Sequence, residues 1–147
     1  MNFLQFLSTA CKLSAPFPDP YGEWLGYTVA DYKKKIGEVE TELLITQEHL
    51  SPSGSVHGGV ISGFLDFSCG CASFLVIPEN TLCSTVDLNV KYFSPMKAGD
   101  KAVATAKIIH QGRSLCTAVA HMFLDHPNEK LVATAMATFN VYAIPKV

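Results

Sequence analysis

The stretch SVHGGVISGFLDFSCGCASFLVIP, residues 55–78, decides how this chain folds. From Gly58 to Ile77 it carries one charge, Asp66, among four glycines, three serines and an otherwise apolar run. Its length would cross a bilayer. A carboxylate near the middle costs about 2.5–3.5 kcal/mol to insert, and the glycines and serines dilute the remainder. The stretch therefore predicts a buried helix of a soluble protein, from about Gly58 to Val76, stopping ahead of Pro78. Val60, Ile61, Phe64, Leu65, Phe67, Ala72, Phe74 and Leu75 make that helix apolar nearly all round. A flat sheet covers one side only, so a curved sheet wrapped around the helix is expected.

Upstream, Trp24–Tyr32 and Ile36–Glu48 read as two strands. The second places Val39, Thr41, Leu43 and Ile45 on one face. Ser51 to Ser55 is a loop by composition. Downstream come four strands in series. In the first, Leu82, Val86, Leu88, Val90 and Tyr92 alternate with a polar set, Cys83, Thr85, Asp87, Asn89 and Lys91. The others run over Ala102–His110, Leu115–Leu124 and Leu131–Tyr142, with turns at Gln111–Ser114 and Asp125–Asn128. Short connections favour an antiparallel meander. Sheet edges left over in one small domain invite a second copy, so an oligomer is expected.

At the N-terminus, Phe3, Phe6, Leu7, Ala10 and Leu13 fall at helical spacing, and the segment lacks the basic start of a secretory leader. Pro16, Pro18, Pro20 and Gly22 follow as a linker expected to be non-helical. Residues 1–20 are thus read as a helix plus linker, and residues 21–147 as the domain proper.

The whole chain, 147 residues with 48% hydrophobic and 16% charged, suits a single packed domain. A net charge of -2 without a basic block argues against nucleic acid as a partner. Lys33, Lys34 and Lys35, beside Asp31, Glu38 and Glu40, read as a solvated strand end. The five cysteines are an odd number without a repeating spacing. They predict free thiols and a reducing, cytoplasmic setting. Cys69-x-Cys71 lacks the further ligands of a zinc set, and no metal site is expected.

Two features of the helix point to chemistry. Val56-His57-Gly58-Gly59 at its start leaves unpaired N–H groups with no side chain in the way. Those donors and the helix dipole suit a carbonyl oxygen gaining negative charge, although a tight turn needing glycine has the same appearance. Asp66, alone in an apolar setting, requires a partner, an opening to water or a raised pKa. It is either functional or a structural carboxylate bonded to a strand. Eight residues separate Gly58 from Asp66, about 12 Å at 1.5 Å per residue, so one carbonyl cannot touch both within one helix. Two helices about a two-fold axis could bring Gly58 of one chain to Asp66 of the other.

Gly54-x-x-His57-Gly58-Gly59-Val60-Ile61, then Leu65-Asp66, then Val86-Asp87-Leu88-Asn89-Val90-x-Tyr92-Phe93-x-Pro95 resembles the PaaI-like hotdog thioesterases, over about Trp24 to Tyr142. The resemblance implies an α+β hotdog fold and a homodimer with two shared sites, often paired into a homotetramer. It implies hydrolysis of an acyl-CoA to a free acid and CoA, with no cofactor and no membrane association. Gly58 falls on the glycine whose N–H polarises the thioester carbonyl, and Asp66 on the carboxylate that activates water or attacks. Thr85 falls on the hydroxyl that helps place the water. His57 and Gly59 belong to the substrate-facing loop, the histidine shaping it. Ser51 stands where the family usually has a substrate-contacting Asn, which puts substrate preference in doubt. His49 nearby is either a substitute for that Asn or a solvated strand end, and the second reading is preferred. Arg113 is a candidate for a CoA phosphate, its other reading being a surface charge. Within the same fold, a non-catalytic acyl-CoA-binding protein is the alternative.

Overall fold

The structure, a computed structural model, describes residues 1–11, 13, 18–124 and 130–144. Two short helices, α1 (Phe3–Ala10) and α2 (Pro20–Leu25), precede strands β1 (Thr28–Lys33) and β2 (Glu38–Leu44). The long helix α3 (Gly58–Phe74) follows, then β3 (Thr81–Tyr92), β4 (Lys101–Gln111), β5 (Leu115–Leu124) and β6 (Leu131–Ala143). All neighbouring strands are antiparallel, in the order β1-β2-β4-β5-β6-β3. The turn expected at Asp125–Asn128 lies outside the described residues. No helix among the described residues is long and apolar enough to cross a membrane.

The helix is held inside the sheet by complementary volumes. Ala102, Ala104, Ala106, Ala118, Ala120, Ala133, Ala135 and Ala137 line the concave face and are all buried. These small residues let α3 approach closely, and Val60, Ile61, Phe64 and Leu65 fill the space between. Val39, Thr41, Leu43 and Ile45 are buried together, as their alternation predicts. Register shifts that leave an extra residue in β1, β3, β4 and β6 supply the bulges that help a sheet coil.

Two organisational expectations are corrected. The final four strands do not form a simple meander: only β4-β5-β6 is consecutive, while β3 lies at the far edge against β6. The helix carries the chain across the sheet, and residues 93–100 carry it back. That return is pinned by Phe93 N–H and Ser94 N–H donating to Val132 O (2.8 and 3.2 Å), by Val56 N–H to Met96 O (2.9 Å) and by Gly99 N–H to Ile45 O (2.9 Å). Nor is the proline-rich segment wholly non-helical. Pro20 occupies the first turn of α2, where its missing N–H is no loss, and Asp19 caps the helix by accepting from Gly22 N–H at 3.0 Å. Trp24 consequently lies in α2, and the first strand begins only at Thr28.

The N-terminal helix belongs to the same core. Asn2 and Gln5 form a reciprocal capping box at its start. Phe6 and Leu7 are 0% and 1% exposed, and Phe6 meets Tyr32 edge-on at 5.8 Å. Phe6→Ala is expected to cost about 3–5 kcal/mol, the range for deleting a fully buried phenylalanine. Urea unfolding would show it as a lowered midpoint with an unchanged slope.

Candidate active site

The orientation of Asp66 follows from its neighbour two residues on. Ser68 is completely buried, sharing a 2.6 Å hydroxyl hydrogen bond with Thr41 of β2 and donating to Phe64 O at 2.8 Å. Residues two apart on a helix point to nearly opposite sides, so anchoring Ser68 to the sheet turns Asp66 outward. There the carboxylate meets β3: Thr85 Oγ1 donates to Asp66 Oδ1 at 2.8 Å.

Strict alternation along β3 would place Thr85 on the opposite face from Leu88 and Val90. The register shift between Thr85 and Asp87 makes Val86 an extra residue, 59% exposed. Cys83 and Thr85 on one side of it, like Leu88 and Val90 on the other, therefore all turn toward the helix side: Cys83, Leu88 and Val90 pack on the core and Thr85 reaches Asp66.

Asp66 is half-buried at the edge of a cleft of about 240 Å³, whose lining includes Thr85, Phe67, Gly70, Phe74, Tyr27 and Phe3. Burial raises its pKa above the ordinary carboxylate value, and the Thr85 hydroxyl opposes that shift. Among the described residues no cation pairs with it. Cys71 and Cys83 share the cleft. Burial pushes the Cys83 thiol up to about 12 and Cys71 well above its usual value, so neither supplies a thiolate nucleophile near neutrality.

The helix start presents a donor. His57 is the N-cap, and its Nδ1 accepts from Gly59 N–H at 2.9 Å. Val60 N–H donates to His57 O at 2.9 Å, while Gly58 N–H makes no hydrogen bond among the described residues. Tyr92 lies over this turn, its hydroxyl donating to Gly58 O at 3.3 Å, and Ser62 Oγ donates to the same oxygen at 3.0 Å. A Cβ at Gly58 would sit 3.6 Å from the Tyr92 ring, an ordinary contact. Glycine is thus not required there for space toward Tyr92.

Residues 53–130 of the 147, more than half the chain, match the model of the thioesterase superfamily. The chain belongs to this family. A human relative, acyl-coenzyme A thioesterase 13, is 32% identical over 79 residues, 54% of this chain and 56% of the relative. The chain thus spans just over half the length of that relative. The solved structure of a phenylacetic acid degradation-related protein from Ralstonia eutropha JMP134 superposes with TM-score 0.78 at 28% identity, covering 92% of this chain and 98% of that one. A point mutant of the phenylacetic acid degradation protein PaaI from Thermus thermophilus gives TM-score 0.73 at 26% identity, covering 83% and 98%. The PaaI-like hotdog fold is therefore that of this chain, a long helix packed on a six-stranded antiparallel sheet.

Within this thioesterase fold the remaining candidate residues scatter. Ser51 lies in the loop closed by the Leu50–Val56 bridge, its hydroxyl bonded to Ser53 Oγ at 2.7 Å and Ser55 O at 3.0 Å. His57 and Gly59 lie at the exposed start of α3. Arg113 occupies the exposed β4–β5 turn, next to Gln111, whose Nε2 donates to Val76 O at 2.7 Å. That contact sets the turn near the opposite end of α3 from Gly58, roughly 27 Å away at helical rise. His49 corrects its expectation. It is 2% exposed, with Nδ1 accepting from Thr46 N–H at 3.1 Å and its carbonyl from His57 N–H at 2.9 Å, so it braces the loop before α3. Tyr92, Tyr27 and Phe3 carry no mark of the site in the sequence. Tyr92 is visible there as a strand residue and within the stretch that carries the family resemblance, with no role of its own; Phe3 is visible only as an apolar position of the N-terminal helix, and nothing local distinguishes Tyr27.

Proposed function

We propose that the chain hydrolyses an acyl-CoA thioester to a carboxylic acid and CoA. The carrying observation is the half-buried Asp66, raised in pKa, held by one hydroxyl and open to an apolar cleft. The thioester carbonyl oxygen takes the Gly58 N–H, whose bond strengthens as charge collects on that oxygen. Asp66 of the facing subunit then removes a proton from water as its oxygen attacks the carbonyl carbon, with Thr85 helping to place the water. Collapse of the tetrahedral intermediate breaks the C–S bond and expels CoA as the thiolate. Direct attack by Asp66 through an anhydride, opened by water, gives the same products. Labelled water separates the two routes, since in a single turnover the anhydride path puts the label into Asp66 whenever water opens it on the aspartyl side.

The assembly reading rests on the free edge of β3. This 12-residue strand ends the sheet with one side unpaired among the described residues. A long open edge is a template for another strand, and antiparallel pairing about a two-fold axis would also set two α3 helices antiparallel. Each Gly58 would then face the other chain's Asp66. Light scattering behind size exclusion is expected to give the mass of a dimer or tetramer. A monomer that turns over acyl-CoA would sink the shared site.

The deciding assay is thiol release from acyl-CoAs of varied length and aromatic content. Release of CoA matched by free acid supports the hydrolase. Binding of acyl-CoA without any release across the panel would establish the non-catalytic binder in its place.

A further inference from the structure

The cleft beside Asp66 has a definite far end. Asp66, Gly70 and Phe74 are spaced at i, i+4 and i+8, so they stack along one face of α3. The cleft thus runs about 12 Å from the carboxylate toward the helix C-terminus. Gly70 contributes no side chain to the middle of the trough, where a Cβ would come into ordinary contact with the Phe139 ring at 3.7 Å. Phe74 stands at the end. Phe3 of α1 meets Phe74 edge-on at 5.8 Å and Phe67 at 5.7 Å, while Tyr27 stacks on the Phe67 ring at 3.6 Å and 15°. Tyr27 is held by its hydroxyl, which donates to Asp19 at 2.8 Å.

Beyond this aromatic end lies a second hollow of about 420 Å³, lined by Cys11, Leu13, Lys34 and residues 74–81. Phe74 lines both spaces. At about 240 Å³ the first space is smaller than the roughly 300–1,000 Å³ of sites that enclose drug-sized ligands, so it suits an acyl group and not a whole CoA thioester.

We propose that Phe74, braced by Phe3, is the end wall of the acyl chamber and sets the longest acyl chain the protein takes. The inference rests on the Asp66 cleft being the acyl site and adds the residues that determine length specificity. Removing the ring joins the cleft to the larger hollow and admits a longer chain, whereas filling Gly70 shortens the trough.

The test compares kcat/KM for hexadecanoyl-CoA with that for hexanoyl-CoA in wild type, Phe74→Ala, Phe3→Ala and Gly70→Val. Phe74→Ala and Phe3→Ala are expected to raise that ratio about tenfold, the low end of discrimination by apolar pockets. Gly70→Val should lower it by a similar factor. If a truncated ring destabilises the chain, Phe74→Leu and Gly70→Ala make the same comparison with smaller volume changes. Calorimetric affinities of the two acyl-CoAs for an Asp66→Asn background carry the test without turnover. Unchanged ratios in every variant, with turnover still dependent on Asp66, overturn the end wall alone. Turnover indifferent to Asp66 overturns the underlying site instead.

Discussion

Asp66→Asn is expected to lower kcat by about 10²–10⁴-fold, the span contributed by a positioned general base, and to make the protein more stable at neutral pH. The amide has nearly the shape of the carboxyl, and its oxygen still accepts from Thr85, which reaches Oδ1 at 2.8 Å in the native protein. What disappears is the charge. Because burial raises the folded-state pKa of Asp66, the native chain holds this proton more tightly than the unfolded one. Its contribution to stability is therefore full below the ordinary carboxylate pKa and lost as pH rises through the raised value. The asparagine variant carries no such loss. Thermal melts should show a higher Tm than wild type near neutrality and convergence in acid. The wild-type rate should fall on the acid side with an apparent pKa above that of a free aspartate, and this limb should vanish with the residue. A variant that keeps near-normal turnover, or that melts lower at neutral pH, contradicts the assignment.

The second large effect comes from deleting one N–H. Gly58 is the first residue of α3, a position where proline is favoured because its N–H is not used in the helix. The preceding residue, His57, has φ -63 and ψ 137, an extended conformation compatible with a following proline. Gly58→Pro thus removes the proposed oxyanion donor while leaving the helix intact. A loss of about 10²–10³ in kcat is expected, as for removal of an oxyanion-hole donor elsewhere. Gly58→Ala, which keeps the N–H and meets Tyr92 at ordinary contact distance, should retain most of the rate.

The two variants together test the shared site. When Asp66→Asn and Gly58→Pro chains are mixed and reassembled, a hybrid dimer contains one site with both groups intact. Half the dimers are hybrid and one site in two is intact, so about a quarter of wild-type turnover should return. Sites built within single chains would recover nothing.

Length, patterning and Pro78 make a buried helix out of residues 58–74, and the isolation of Asp66 within an apolar run marks it from composition alone. The same holds for the glycines at the helix start, for the strand pairs β4-β5 and β5-β6, which lie close together in the chain, and for the inward face of β2. These are local matters, settled by periodicity and by residues adjacent in the chain. The position of β3 is of another kind. Its pairing with β6 depends on α3 crossing the sheet, and no local pattern encodes which edge the chain reaches. Thr85 shows the same limit at a single residue: alternation faces it away from Leu88, and a bulge at Val86, visible only in the pairing register, turns it onto Asp66. His49 reads as solvated because polar neighbours outweigh it in composition, yet its buried hydrogen bonds are to a turn and a loop that fold back around it. Phe3 and Phe74 are separated by tens of residues and meet only when α1 packs against α3, and Tyr27, which lies just ahead of β1, reaches that helix at Phe67. Sequence by itself thus determined the helix, its charge and its glycines, because these follow from spacing along the chain. Tertiary structure alone decided which strand faces the carboxylate and what closes the cleft, because those contacts join residues distant in sequence.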